Sequence, residues 1–276
     1  MKRPLYMIWL VGLISVGQGC TSVVRHNVTI TLKNGQRVTL YFEHLDVHYD
    51  HTKPFRELLE KLEAGEEVDV NKPLEEEHPS TPLMYAITYA LGRKDYDPDP
   101  HFYAAQYLLE HGADPNLLSS PHYNGFQETA THDLCDSLGR KRAFDIRGLA
   151  LFLSYGARMG IKDTGGRTAI NYLEKYEPWI SEELREKYEE KPDPSQERKS
   201  KPLHKEEKPP APPAWKSAIS QERQKELKKA YFTDIAEALR KLPQYRDAVD
   251  KAFLNYIKEA GVDDELVSAL SAKTVL

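Results

Sequence analysis

The feature that most restricts how this chain can fold is a helix ending that occurs three times. Leu58-Leu59 leads to Ala64-Gly65-Glu66-Glu67-Val68-Asp69-Val70-Asn71, and Leu108-Leu109-Glu110-His111 leads to Gly112-Ala113-Asp114-Pro115-Asn116. Leu151-Phe152-Leu153-Ser154-Tyr155 then leads to Gly156-Ala157. Each reads as a short amphipathic helix stopped by a glycine, which enters the left-handed region without steric cost, and followed by a polar turn. Between these endings lie the openings of partner helices: Ser80-Thr81-Pro82-Leu83-Met84-Tyr85-Ala86, a weaker Glu128-Thr129-Ala130, and Asp163-Thr164-Gly165-Gly166-Arg167-Thr168-Ala169-Ile170. Thr81 and Thr168 can accept the orphan amides of a helix start, and Pro82 takes the first helical position, where its missing N–H is not needed. Leu108, Leu109, Leu151 and Leu153 are expected to be buried. One helical hairpin cannot bury its apolar stripe alone, so neighbours must stack and the ends must be covered. Ser181 to Glu190 reads as a polar terminal helix at one end.

These segments resemble ankyrin repeats, whose signatures are T-P-L-H-x-A at the first helix, LL-x-x-G-A-D-x-N after the second, and D-x-x-G-x-T between repeats. Thr81-Pro82-Leu83 with Ala86 matches the first, and Gly112-Ala113-Asp114-Pro115-Asn116 matches the second. Asp163, Gly166, Thr168 and Ala169 match the third. The glycines Gly65, Gly112 and Gly156 are 47 and 44 residues apart, against a family period of about 33, and the middle first helix lacks T-P-L. The resemblance implies a mainly α fold, an ankyrin-like solenoid of helical hairpins over residues 55–190. It also implies that partners are bound by the turns between repeats and by the concave row of first helices.

Those turns are enlarged here and rich in tyrosine and acid. One carries Asp95, Tyr96, Asp97 and Asp99, and another carries His122, Tyr123, Asn124 and Phe126. Tyrosine brings large contact area with few rotatable bonds and is enriched at interaction hot spots. The same loops read equally well as solvated connections.

Around the repeats the chain divides further. Residues 27 to 42 read as a β-hairpin about Asn34-Gly35. A three-residue loop, Lys33-Asn34-Gly35, pairs Ile30 with Val38, Val28 with Leu40 and Thr29 with Thr39, keeping apolar residues on one face. Gly35 is then left-handed in a bulge. This hairpin belongs to a segment over 20–54. Residues 191–216, with seven prolines among Lys and Glu, read as an extended charged linker. Residues 217–276 return to short helices, with apolar stripes at Leu227, Tyr231, Ile235, Ala238 and Leu242 and at Tyr245, Val249, Phe253, Tyr256 and Ile257.

The first 19 residues read as a signal peptide. Lys2 and Arg3 precede an apolar run, Leu5 to Val16, too short to span a bilayer, which takes about 20 residues. Gly17-Gln18-Gly19-Cys20 follows. The whole resembles a bacterial lipoprotein signal, which implies cleavage before Cys20 and acylation of that residue. Gly17 departs from the leucine usual there. Thr21, in place of aspartate, implies the periplasmic face of the outer membrane within the cell envelope. Plain secretion is the competing reading.

Composition and motifs remove other functions. The chain carries 38 Lys and Arg against 43 Asp and Glu, a net charge of −5, so there is no electrostatic case for nucleic acid. No P-loop, G-x-S-x-G, H-E-x-x-H or C-x-x-C occurs. Cys135 beside His132 has the spacing of a nucleophile and base, but no third group orients the pair. His44, Asp46 and His48 fall on one face of a strand, with Asp50 next in line, and could hold zinc. The solvated face of an edge strand is the competing reading.

The function expected from all this is non-catalytic, with no cofactor. The chain resembles small ankyrin-type lipoproteins that act as immunity proteins, neutralising toxins such as lipase effectors of type VI secretion. The expected partner is therefore another protein, with the membrane held through the lipid anchor. The alternative is an envelope scaffold or assembly factor resembling a chaperone.

Overall fold

The computed structural model describes residues 23–45, 50–74, 80–88, 100–121, 126–139, 146–180, 219–242 and 249–271, without the side chains of residues 44, 45 and 180. Among them the chain is mainly helical, with one two-stranded antiparallel hairpin at the N-terminal side. The hairpin comprises β1 (Val23–Thr31) and β2 (Arg37–Leu45). The helices are α1 (Lys53–Glu63), α2 (Pro82–Thr88), α3 (Pro100–Glu110), α4 (Ala130–Gly139), α5 (Ile146–Ser154), α6 (Ala169–Tyr176), α7 (Gln221–Lys241), α8 (Lys251–Glu259) and α9 (Asp264–Ser271).

The hairpin register follows the apolar pattern. Val28 lies opposite Leu40, Ile30 opposite Val38 and Thr29 opposite Thr39, the two hydroxyls 3.1 Å apart. The Leu32 amide donates to the Gln36 carbonyl at 2.9 Å and the Gly35 amide to that of Leu32 at 2.8 Å, closing the three-residue loop with Gly35 at φ +84°. Both strands run beyond the window read from the sequence. Val28, Ile30, Val38, Leu40 and Phe42 are buried, and the Phe42 ring meets that of Phe55 on α1 edge to face. Two glutamates at helix ends fix the hairpin: Glu63 accepts from the Thr31 amide (3.0 Å) and hydroxyl (2.7 Å), and Glu110 accepts from the Lys33 amide (2.7 Å).

The helix endings are alike in atomic detail. After α1, α3 and α5 the residue following the glycine donates back five positions, Glu66 to Lys61, Ala113 to Leu108 and Ala157 to Phe152, each at 3.0 Å. The endings therefore satisfy orphan carbonyls in one way, a Schellman closure. After α8, Gly261 and Val262 do the same, with Val262 donating to Ile257 at 3.0 Å. That fourth copy is visible as Glu259-Ala260-Gly261-Val262-Asp263 beside Glu110-His111-Gly112-Ala113-Asp114.

Helix starts repeat as well. The Thr81 hydroxyl accepts from the Met84 amide at 3.3 Å, and Thr168 accepts from Asn171, whose side chain returns a bond to the Thr168 amide. At α4 the cap is Thr129, accepting from the His132 amide at 3.4 Å. The middle start is thus Thr129-Ala130-Thr131-His132, which keeps the threonine and the histidine of T-P-L-H while losing what lies between.

α2 packs on α3 and α4, α4 on α6, and α5 on α7. Leu108, Leu109, Leu151 and Leu153 are buried as expected. Residues of α7, α8 and α9 join the same buried core as those of α1 to α6. Trp179, Tyr231, Phe253 and Tyr256 gather around the wholly buried Phe232. Lys228 and the Tyr256 hydroxyl both meet Glu174 on α6. The polar helix read at Ser181 to Glu190 lies outside the described residues.

Candidate protein-binding face

Two turns, each closed by an isolated β-bridge, lead into α4 and α6. In the first, Leu118 and Thr129 form a β-bridge, and the Ser119 amide donates to the Glu128 carbonyl at 2.8 Å. In the second, Lys162 and Thr168 form a bridge, and the Asp163 amide donates to the Arg167 carbonyl at 2.8 Å. The turns are joined to each other: the Thr164 amide donates to the Gln127 carbonyl at 3.1 Å, and the Gln127 amide to the Thr164 hydroxyl at 2.9 Å.

At the turn bases, side-chain amides make a second series of links. Asn71 donates to the Gly112 carbonyl (3.1 Å) and accepts from the Asp114 amide (2.8 Å). Asn116 donates to the Gly156 carbonyl (2.9 Å) and accepts from the Arg158 amide (2.7 Å). One residue type thus bridges each turn to the next by the same pair of bonds. Gly160 occupies the corresponding place in the third turn and brings no side chain; that turn is joined instead to the start of α8, where Asp250 accepts from the Met159 amide at 2.7 Å while it caps the helix.

Asp163 anchors the second turn. Burial by itself would raise its carboxyl, but hydrogen bonds from the Arg167 amide and the Tyr172 hydroxyl, with the Arg167 charge, hold it below the usual carboxylate range. The Arg167 guanidinium lies 4.9 Å from the Tyr172 ring centroid and 5.4 Å from that of Phe126, within cation–π range. Glu128 stands on the same side. Burial pushes its carboxyl up, Asp136 and Asp163 push the same way, and a hydrogen bond with Asp133 and the Arg167 charge oppose them. Next to this acidic and aromatic surface, Leu117 and Leu118 are 37% and 41% exposed.

Of the residues expected to contact a partner, Phe126 is the one described, half-buried against Arg167. Asp95, Tyr96, Asp97, Asp99, His122, Tyr123 and Asn124 lie outside the described residues. The sequence reading did not single out Leu117, Leu118, Arg167 or Glu128. An adjacent leucine pair directly after a helix-stopping G-A-D-P-N turn was the available signal.

The pair Cys135 and His132 is brought close, but each residue is committed elsewhere. His132 is buried, receives the Thr129 amide on Nδ1 at 3.2 Å, and so carries its proton on Nε2, which donates to the Arg167 carbonyl at 3.1 Å. Burial holds its pKa below the ordinary value. Burial likewise pushes the Cys135 thiol up, with Asp136 adding to the effect. A nucleophilic cysteine needs the reverse, a stabilised thiolate.

The zinc candidates Asp46 and His48, and the side chain of His44, lie outside the description. Asp50, the next of that series, is occupied at the start of α1, where it accepts from the Thr52 amide and hydroxyl and pairs with Arg56. Among the described residues no group of three or more His, Cys, Asp or Glu is placed to hold a metal, and no helix is long and apolar enough to cross a membrane. Comparison with protein-family models, with curated proteins and with solved structures finds no match to this chain.

Proposed function

We propose that this chain is an ankyrin-type, non-catalytic binding protein of the bacterial envelope, anchored through Cys20, and that it acts as an immunity protein against a secreted toxin. The observation that carries the reading is the paired series of equivalent bonds. Asn71 and Asn116 link successive helix-ending turns, and the Gln127–Thr164 bonds link the two bridge-closed turns. Links that repeat in this way hold the turns in a row, which suits one continuous recognition surface better than an enclosed reaction site.

Binding would use the exposed Leu117 and Leu118, with Phe126 and Arg167 beside them and Glu128, Asp133 and Asp136 behind. The tyrosine- and acid-rich stretches carrying Asp95, Tyr96, Asp97 and Asp99, and His122, Tyr123 and Asn124, are proposed as further contacts on their residue types alone. The acidic residues would steer a basic target, and occlusion of the toxin's working surface would neutralise it. Burial of Cys135 and engagement of both His132 nitrogens support the non-catalytic part.

The experiment is co-expression with the product of the gene adjacent to this one, directed to the periplasm. Protection and stoichiometric co-purification are expected. Replacing the exposed leucines, as in Leu118→Asp, should weaken binding roughly tenfold or more while leaving thermal unfolding unchanged. A toxin equally lethal with and without this protein rules immunity out, and co-purification with a resident envelope complex instead would favour a scaffold.

A further inference from the structure

Four large apolar side chains are exposed among the described residues. Two are Leu117 and Leu118 on the turn that leads into α4; the others, Val23 and Tyr41, are 47% and 46% exposed and lie far from it in sequence. Both belong to the hairpin, and strand alternation puts them on one face. Phe42, Leu40, Val38, Val28 and Ile30 fill the inner face against the helices, so Val23, Arg25, Asn27 and Tyr41 form the outer one. Arg25 is paired with Glu43 at 2.8 Å across the strands, which leaves little net charge there.

The chain length to the anchor decides what this face can meet. Only Thr21 and Ser22 separate Cys20 from the first residue of β1. Even fully extended, the three steps from Cys20 to Val23 reach about 10–11 Å. A diacylglycerol-bearing cysteine sits at the boundary of the hydrocarbon, and each headgroup layer beyond it is roughly 5–8 Å thick. The first residue of β1 can therefore stand no more than about 6 Å beyond the headgroups, less than the width of one strand layer. The inner face is already packed on α1 and α3, so the outer face is the one available.

We infer that the outer face of the hairpin, with Val23, Arg25, Asn27 and Tyr41, rests in the phospholipid headgroup layer as a membrane seat. This rests on the proposed anchoring at Cys20. Tyrosine suits that position, since its ring accepts the apolar side of the interface while its hydroxyl stays hydrated. The Arg25–Glu43 pair beside it brings no net charge to be repelled or desolvated singly. The seat fixes the orientation of the whole molecule on the membrane and does not merely restrict its distance from it.

The test uses the mature protein extracted with its native lipid and placed in phosphatidylethanolamine–phosphatidylglycerol vesicles. A fluorescent probe is attached at Tyr41→Cys, or for reference at Lys225→Cys on α7; Cys20 is blocked by its lipid and Cys135 is buried. Lipid-borne nitroxide should remove most of the emission at position 41 and little at position 225. A long Gly/Ser insertion between Ser22 and Val23 should restore the emission at position 41. Equal quenching at the two positions in acylated protein overturns the seat while leaving the anchor standing. Shielding of position 41 from iodide without lipid quenching also overturns it, and a crosslinked dimer in that sample would identify a second copy of the chain as the occupant. A mature mass without acyl groups overturns both the seat and the anchor.

Discussion

The two ends of this molecule are closed by different means. At the N-terminal side a hairpin lies directly before α1 in sequence and is fixed by helix-end carboxylates, Glu63 to Thr31 and Glu110 to Lys33. At the other side the covering helix α7 follows α6 only after more than forty residues, and it is held by an aromatic cluster about Phe232. The first closure adds polar clamps at its edges to an apolar inner face; the second rests chiefly on its aromatic cluster. Each cover removes apolar side chains of the helical core from water, and either kind suffices for that.

The largest expected effect falls on the apolar closure. Phe232→Ala removes a wholly buried ring and should cost about 3–5 kcal/mol, read as a shift of the urea midpoint. Because α7 shares its core with α5, unfolding should remain a single transition. Two transitions would show that the ends are energetically separate and break the comparison.

Next come the links within the row. Asn116→Ala removes two bonds and leaves the Arg158 amide and the Gly156 carbonyl to find other partners, at about 1–3 kcal/mol. At the third turn, Asp250→Ala should cost about 1–2 kcal/mol, since the carboxylate both caps α8 and receives the Met159 amide. Equal losses for the two variants would mean that the join from the third turn to α8 holds as firmly as the asparagine links before it.

The smallest effect is in pH. His132 is neutral when folded and its pKa is lowered by burial, from an ordinary value of 6.5. The unfolded chain therefore binds a proton that the folded chain refuses. Stability is complete above about pH 6.5 and falls as the pH drops toward the folded value, by up to ~1.4 kcal/mol per pH unit. Denaturant midpoints at about pH 7.5 and about pH 5.5 check this. His132→Gln should be less stable at the upper pH and lose less between the two.

Much of this was legible beforehand where the governing interactions are short in range. The hairpin register followed from alternation and one Asn-Gly, and the helix ends followed from threonine and glycine, because caps and turns are satisfied within about five residues. Thr129 escaped because the reading weighted the proline and leucine of T-P-L, while the hydrogen bonds at α4 need only the threonine and a histidine. The fourth ending, at Gly261, was legible as a stop but not as a copy of Gly112, since it lay beyond the proline-rich stretch. The exposed Leu117 and Leu118 were passed over in favour of polar loop residues.

By itself the sequence determined where helices start and stop, which face of each is apolar, and the pairing within the hairpin. Those are contests between neighbouring groups for hydrogen bonds and for water. Tertiary structure alone decided that α7 returns to α5 across the long insertion, that Asp250 joins the third turn to α8, and that Asp50 serves α1. Each joins residues far apart in the chain, and the apolar and polar groups they bring together carry no mark of their partner until the core has closed around them.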